Sequence, residues 1–178
     1  MPDGILIFGA NGSGKSTIGR ALAQKLDWKY MDIEDYVFLP AARPYTRQRS
    51  HEDCLRLMHA DIQQCRGFVL SAVKGNWDAA LVSQFRLAAY LWAPLELRLQ
   101  RIAQRTFHQY GARVRPGGDM YEQQQSFVQF AANRSLAAIE QWGRTLPCPV
   151  LPLDTTIPIE ETVERIAQHY AAMTLGQV

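Results

Sequence analysis

The chain has 178 residues and is 47% hydrophobic, which fits one globular domain with a sizeable core. Its formal net charge of +2 is too small to argue for a nucleic-acid partner or an acidic membrane surface, and no segment approaches the length of a membrane span. Cys54, Cys65 and Cys148 are odd in number and too widely spaced for a zinc knuckle, so idle thiols in a reducing, cytoplasmic setting are expected; the short apolar run at the amino end, met at once by glycines, is not expected to be a secretory leader.

Ile5-Leu6-Ile7-Phe8 predicts a buried strand over residues 4–8. Gly9-Ala10-Asn11-Gly12-Ser13-Gly14-Lys15-Ser16-Thr17 follows, with the pattern G-x-x-x-x-G-K-S, and an amphipathic run to Leu26 predicts a helix over 15–26. Strand, loop and helix are the setting that this phosphate cradle requires. The glycines let the chain turn without a Cβ, and successive backbone N–H groups, including those of Asn11 and Ser13, then face an anion at a helix N-terminus. Lys15 is expected to reach the β- and γ-phosphates of a nucleotide, Ser16 to ligate Mg²⁺, and Thr17 to touch the α-phosphate.

A short strand is predicted over Lys29–Asp32, delivering acidic side chains at its end. A loop with Pro40 and Pro44 then carries Arg43, Arg47 and Arg49. Ser50, with Asp53 three positions on, predicts the N-cap of a helix reaching about Arg66 and ended by Gly67. Phe68–Val73 is a buried strand, Lys74-Gly75-Asn76 a turn, Asp78–Gln84 a short helix and Leu87–Trp92 a strand. Pro94 opens a helix to about His108, with Leu95, Leu97, Leu99 and Ile102 on or near its apolar face. Tyr110–Asp119 is irregular, rich in glycine, and expected to be mobile. One long helix is predicted from Asp119 to about Thr145, a last strand over Val150–Leu153, a loop at Asp154-Thr155-Thr156, and a final helix over Glu160–Met173.

This order predicts a single-domain α/β fold over residues 1–178: a three-layer sandwich with a parallel sheet of about five strands and right-handed crossovers. Ligands bind beyond the C-terminal strand ends of such sheets, which sets the phosphate loop, Asp32, Lys74 and the Asp154 loop on one rim.

The chain resembles the nucleoside-monophosphate-kinase-like branch of the P-loop enzymes, with adenylate, shikimate and gluconate kinases. Residues 1–35 look most like shikimate kinase, in the run from Gly14-Lys15-Ser16-Thr17 to Leu26 and in Tyr30-Met31-Asp32-Ile33-Glu34-Asp35. The resemblance implies a P-loop NTPase fold with a short lid at 106–120, ATP and Mg²⁺ as cofactors, Asp32 near Mg²⁺ or the acceptor, and Glu34 holding acceptor hydroxyls. Asp35 could serve instead, since the run is equally similar to the acidic cluster of gluconate kinase. Arg101-Ile102-Ala103-Gln104-Arg105 resembles the start of the adenylate kinase lid, which implies Arg101 on the adenine and Arg105 on the phosphates. Asp154 and Thr155 match in position the segment that flanks the adenine.

Lys15, Asp32 and Arg105 are the expected catalytic set, and Ser16 with Asp32 the expected metal set. Arg113 and Arg115 are expected to close over the transferring phosphoryl group; Arg134, on the helix that follows, is a weaker candidate. Adenylate kinases carry Asp-Gly at the end of strand three, where this chain has Ser71-Ala72-Val73-Lys74-Gly75-Asn76, so Asp32 is expected to carry more of the magnesium load. Arg47, Arg49 and Lys74 point to an anionic small-molecule acceptor. The shikimate-family arginine of helix two might correspond to Arg56, but the spacing is shorter, and shikimate is not assigned. The expected activity is ATP-dependent transfer of the γ-phosphoryl group to a small metabolite. Alternatives are a nucleoside monophosphate kinase and a non-enzymatic ATP-binding regulator.

Overall fold

The computed structural model describes residues 1–175. Five strands, β1 (Asp3–Gly9), β2 (Lys29–Asp32), β3 (Gly67–Ala72), β4 (Phe85–Trp92) and β5 (Val150–Asp154), form one sheet in the order β2-β3-β1-β4-β5, every pair parallel. Between them run helices α1 (Lys15–Leu26), α2 (Ile33–Val37), α3 (His51–Ile62), α4 (Ala79–Val82), α5 (Leu95–Tyr110), α6 (Tyr121–Ala132), α7 (Leu136–Gly143) and α8 (Ile159–Leu175).

The side-chain alternation of the central strands divides the interior into two cores, one on each face of the sheet. Leu6 and Phe8 of β1, with Phe68, Leu70, Ala88 and Tyr90, pack against Met58 and Ile62 of α3 and Ile139 of α7. Ile5 and Ile7, with Val69, Leu87 and Leu91, pack against Ile18 and Leu22 of α1 and Ile166 of α8. Residues 5–7 of β1 are 0% exposed, which is why this strand reads as an unbroken apolar run. Each fully buried aliphatic side chain contributes about 1.5–3 kcal/mol. With all strands parallel, their C-terminal ends share one edge, where the loops after β1, β2, β4 and β5 meet.

The element boundaries depart from expectation in four places. Asp32 ends β2 and starts α2 at once, its carboxylate accepting from the Glu34 N–H, so Glu34 and Asp35 lie on a helical turn that local pattern is too short to reveal. α3 stops at Ile62, and Gly67 opens β3 rather than ending the helix. The long helix over 119–145 is two helices, broken at Asn133–Ser135, where Ser135 Oγ accepts from the Ala138 N–H and caps α7. On α5 the buried face is Arg98, Ile102 and Thr106, while Leu95 is 37% exposed.

α5 also runs on to Tyr110, so the first residues of the expected lid are helical. Beyond it lies a 3₁₀ turn, Gly111–Val114, and the Met120 N–H returns to the Arg113 carbonyl at 2.9 Å. The stretch is irregular but hydrogen-bonded.

Candidate active site

Gly12 and Gly14 of the phosphate loop adopt φ of 81° and 96°, and a Cβ on Gly12 would lie 2.4 Å from the Arg98 carbonyl oxygen. Only glycine satisfies both conditions. Three side chains from far along the chain brace the loop: Arg98 Nη1 donates to the Asn11 carbonyl at 3.3 Å, Arg101 Nη1 to the Gly12 carbonyl at 3.5 Å, and the Thr155 hydroxyl to the Ser13 carbonyl at 2.9 Å. Arg101 also donates to the Thr155 carbonyl at 2.6 Å. Among the described residues, the buried Asn11 Oδ1 and Ser13 Oγ have no hydrogen-bond partner.

Lys15 Nζ donates to the Ala10 carbonyl at 2.9 Å. Burial lowers its pKa to about 8, against the opposing pull of Glu34 and Asp32. A hollow of about 380 Å³ opens over the loop, bordered by Lys15, Thr17, Arg101, Arg105 and Thr155.

Asp32 is heavily engaged. Its Oδ2 accepts from Ser16 Oγ at 2.8 Å and from the Tyr30 hydroxyl at 2.8 Å. Ser16 and Asp32 together offer the hard oxygens that suit Mg²⁺, an ion that takes few protein ligands and completes its shell with water and phosphate. Glu34 sits half-buried nearby; burial, and then the Asp32 charge, raise its pKa, opposed by Arg105 and Lys15. Tyr45, whose pKa is pushed up to about 12 by burial and then by Glu34, stands beside it in the left-handed conformation, φ 64°.

A second hollow lies across these carboxylates, in two lobes of about 880 and 430 Å³ that share Glu34, Phe38, Tyr45, Arg105, Gln109 and Tyr110. The larger also takes in Asp32, Asp35, Arg20 and Arg49; the smaller reaches Asn11, Phe127 and Arg134. Arg105 borders both lobes and the nucleotide-side hollow.

Several expected site residues stand elsewhere. Arg49 does border the larger lobe, but its Nη1 donates to the carbonyls of Asp35, Tyr36 and Phe38 at 2.9, 2.8 and 3.2 Å, fastening the end of α2. Arg47 is exposed and borders neither lobe. Lys74 is exposed too, its loop being held to α7 by the Trp142 Nε1 bond to the Gly75 carbonyl at 3.0 Å. Arg113 is paired with Asp119 at 2.8 Å, and Arg115 lies over the Phe107 ring at 4.4 Å. Asp154 turns back to accept from the Thr156 N–H at 2.8 Å, leaving Thr155 on the hollow. Arg56 pairs with Asp53 on the exposed face of α3.

The sequence reading missed Arg98, which is 3% exposed behind the loop. A charged residue on a helix reads as solvated, and only its i, i+4, i+8 spacing with Ile102 and Thr106 carries a signal. It also missed Tyr45, Tyr110 and Phe127, which meet only in three dimensions.

The family model for shikimate kinase matches residues 11–44. The Bacillus subtilis (strain 168) protein named "Uncharacterized protein YqaC" is 32% identical over 97% of this chain and 99% of its own length. A mouse protein (Mus musculus), "Probable gluconokinase", is 54% identical over 20% of this chain and 19% of its own. The crystal structure of a gluconokinase from Sinorhizobium meliloti 1021 superimposes with a TM-score of 0.56 at 15% identity, covering 99% of this chain and 95% of that one; at this identity the likeness is one of fold.

Proposed function

The chain belongs to the nucleoside-monophosphate-kinase-like P-loop kinases, in one family with the B. subtilis protein, and from that premise we propose that it is an ATP-dependent kinase of a small hydroxyl-bearing metabolite. The observation that carries this reading is the meeting of two hollows at Arg105, with Lys15 on the nucleotide side and Glu34 on the other. A nucleotide-binding regulator has no need of a second cavity joined to the first by charged residues.

In this reading the loop amides and Lys15 hold the β- and γ-phosphates, while Arg101 and Thr155 border the base. Arg105, supported by Arg134, meets the charge that spreads over the transferring group. Ser16 and Asp32 would hold a magnesium ion, which when bound would neutralise phosphate charge. Asp32 is occupied by Ser16, Tyr30 and its own helix, so Glu34 is the base. The acceptor oxygen bonds to the γ-phosphorus as the bond to the β-phosphate oxygen breaks; that electron pair leaves with ADP, and the hydroxyl proton passes to Glu34.

The basic set behind the expectation of an anionic acceptor stands outside the hollow or is engaged within the protein, so the proposal keeps a small-molecule acceptor and drops the acid. No helix among the described residues is long and apolar enough to cross a membrane. The thiols of Cys54, Cys65 and Cys148 are free, which fits a cytoplasmic placement as part of the same proposal.

Titration calorimetry with ATP and Mg²⁺, paired with ADP release over a panel of hydroxyl metabolites, tests this. Lys15→Ala is expected to weaken ATP binding at least about tenfold. Glu34→Gln is expected to keep ATP binding and lower transfer by about 10²–10⁴. Full transfer in Glu34→Gln would remove the assigned base; no ATP uptake by the folded wild type would remove the kinase.

A further inference from the structure

The smaller lobe of the acceptor hollow has walls unlike those a polyol acid requires. Phe38, Tyr45, Tyr110 and Phe127 border it, and none of the four belongs to either core of the sheet. Phe38 and Tyr45 meet edge to face with centroids 5.1 Å apart, forming one aromatic wall. Aromatic side chains gathered at a cavity rather than in a core offer flat apolar faces to a ligand.

Two glutamines of α6 set the polarity. Gln123 Nε2 donates to the Pro44 carbonyl at 2.9 Å, a partner that can only accept. Gln124 Nε2 bonds Thr106 Oγ1 at 3.2 Å, and the single Thr106 hydroxyl proton already goes to the Ile102 carbonyl at 2.6 Å, so Thr106 accepts there. Both amide groups are thereby oriented by their neighbours. Their carbonyl oxygens bond no protein donor among the described residues and are left to accept N–H groups from a ligand.

The cations point the other way. Arg49, Arg113 and Arg115 are engaged within the protein. Arg134, over the Phe130 ring at 4.4 Å, borders the lobe together with Asn11 of the phosphate loop, and it stands close enough to Lys15 to push against that charge. It serves the phosphoryl end. The rest of the lobe's lining is largely aromatic and amide: Phe38, Tyr45, Tyr110, Phe127, Gln123 and Gln124.

We propose that the acceptor is an alcohol carried on a flat heteroaromatic ring with N–H donors, the chemistry of a nucleoside, the ring lying among Phe38, Tyr45 and Phe127, its N–H groups on Gln123 and Gln124, and its hydroxyl at Glu34. This rests on the kinase reading above and narrows its acceptor.

The test uses the full chain with ATP and Mg²⁺ and two probe sets: nucleosides bearing ring or exocyclic N–H groups, and the non-aromatic polyol acids gluconate and shikimate. ADP release is expected to rise at least about tenfold with a member of the first set and to stay at the basal rate with the second. Phe127→Ala is expected to raise the KM for that nucleoside about tenfold, from the loss of one stacking face, with the KM for ATP unchanged, and Phe127→Tyr to restore it. Turnover of either polyol acid in preference to every nucleoside overturns the ring and leaves the kinase standing. Silence of both sets in protein that still binds ATP overturns the ring as well. An unchanged nucleoside KM in Phe127→Ala overturns the placement. Failure to bind ATP, by contrast, falls on the kinase reading itself.

Discussion

Lys15 shows how far one side chain can be tuned by its surroundings. Burial lowers its pKa to about 8, and its ammonium donates to the Ala10 carbonyl. A nucleotide triphosphate brings negative charge to that position and raises the pKa again. ATP affinity is therefore expected to fall as pH climbs above about 8, where the free protein has lost the charge, and binding there is expected to take up a proton. Calorimetry at pH 8.5 in buffers of different ionisation enthalpy reads this directly; a binding heat independent of buffer contradicts it. For folding the sign is opposite. A lysine with a depressed pKa disfavours the fold while it stays charged, and that penalty is relieved as pH rises from about 8 toward the ordinary lysine value. The residue types of the phosphate loop were legible in sequence because phosphate dictates them. Arg98 was not, because its role depends on a contact with Asn11 across 87 positions of chain.

Among the elements, α2 has the greatest effect for its size. Five residues long, it exists because Asp32 caps its start and Arg49 ties its end, and it lifts Glu34 to the seam between the two lobes of the second hollow. Asp32→Asn keeps a good capping side chain and loses the charge. Its thermal midpoint is expected to stay near wild type while phosphoryl transfer collapses. Wild-type transfer in that variant would show that the Asp32 charge has no part in the reaction. The break between α6 and α7 makes the opposite case, a purely structural cap. Ser135→Ala is expected to cost about 1 kcal/mol in denaturant unfolding and to leave ATP binding untouched. The break escaped the sequence reading because apolar residues resume at helical spacing on the far side of Asn133-Arg134-Ser135, from Ala132 to Leu136 and Ile139, and a serine there is read as one more polar helix residue unless its cap bond is seen.

At the scale of the molecule, the number of strands and their parallel pairing followed from the alternation of strand and helix patterns, while their order did not, and the rim they define holds the loops in question. What alternation could not supply was the furnishing of that rim. Phe38, Tyr45, Tyr110 and Phe127 come from four separate segments, and no local period links them. The leucines of α5 misled for a related reason: the phosphate loop against Arg98 and α6 against Thr106 select Arg98, Ile102 and Thr106 as its inner face. If the nucleotide sits on the phosphate loop, ATP at about a hundredfold over its wild-type Kd is expected to add about 2.7 kcal/mol to unfolding, a gain cut to about 1.4 kcal/mol or less in Lys15→Ala. Equal stabilisation of the two proteins in a thermal melt would place the nucleotide somewhere else.

The bond from Thr155 to the Ser13 carbonyl spans 142 positions of sequence. During synthesis the ribosome releases the whole glycine-rich motif early, yet this brace, one of three, emerges well after Arg98 and Arg101. A nascent chain stalled before β5 thus carries the phosphate signature without its last brace, and photo-crosslinking to an azido-ATP is expected to reach its full yield only once Thr155 has cleared the exit tunnel. Cellular nucleotide would then stabilise chains that have passed β5 more than shorter ones, so that ligand binding follows folding of the last strand.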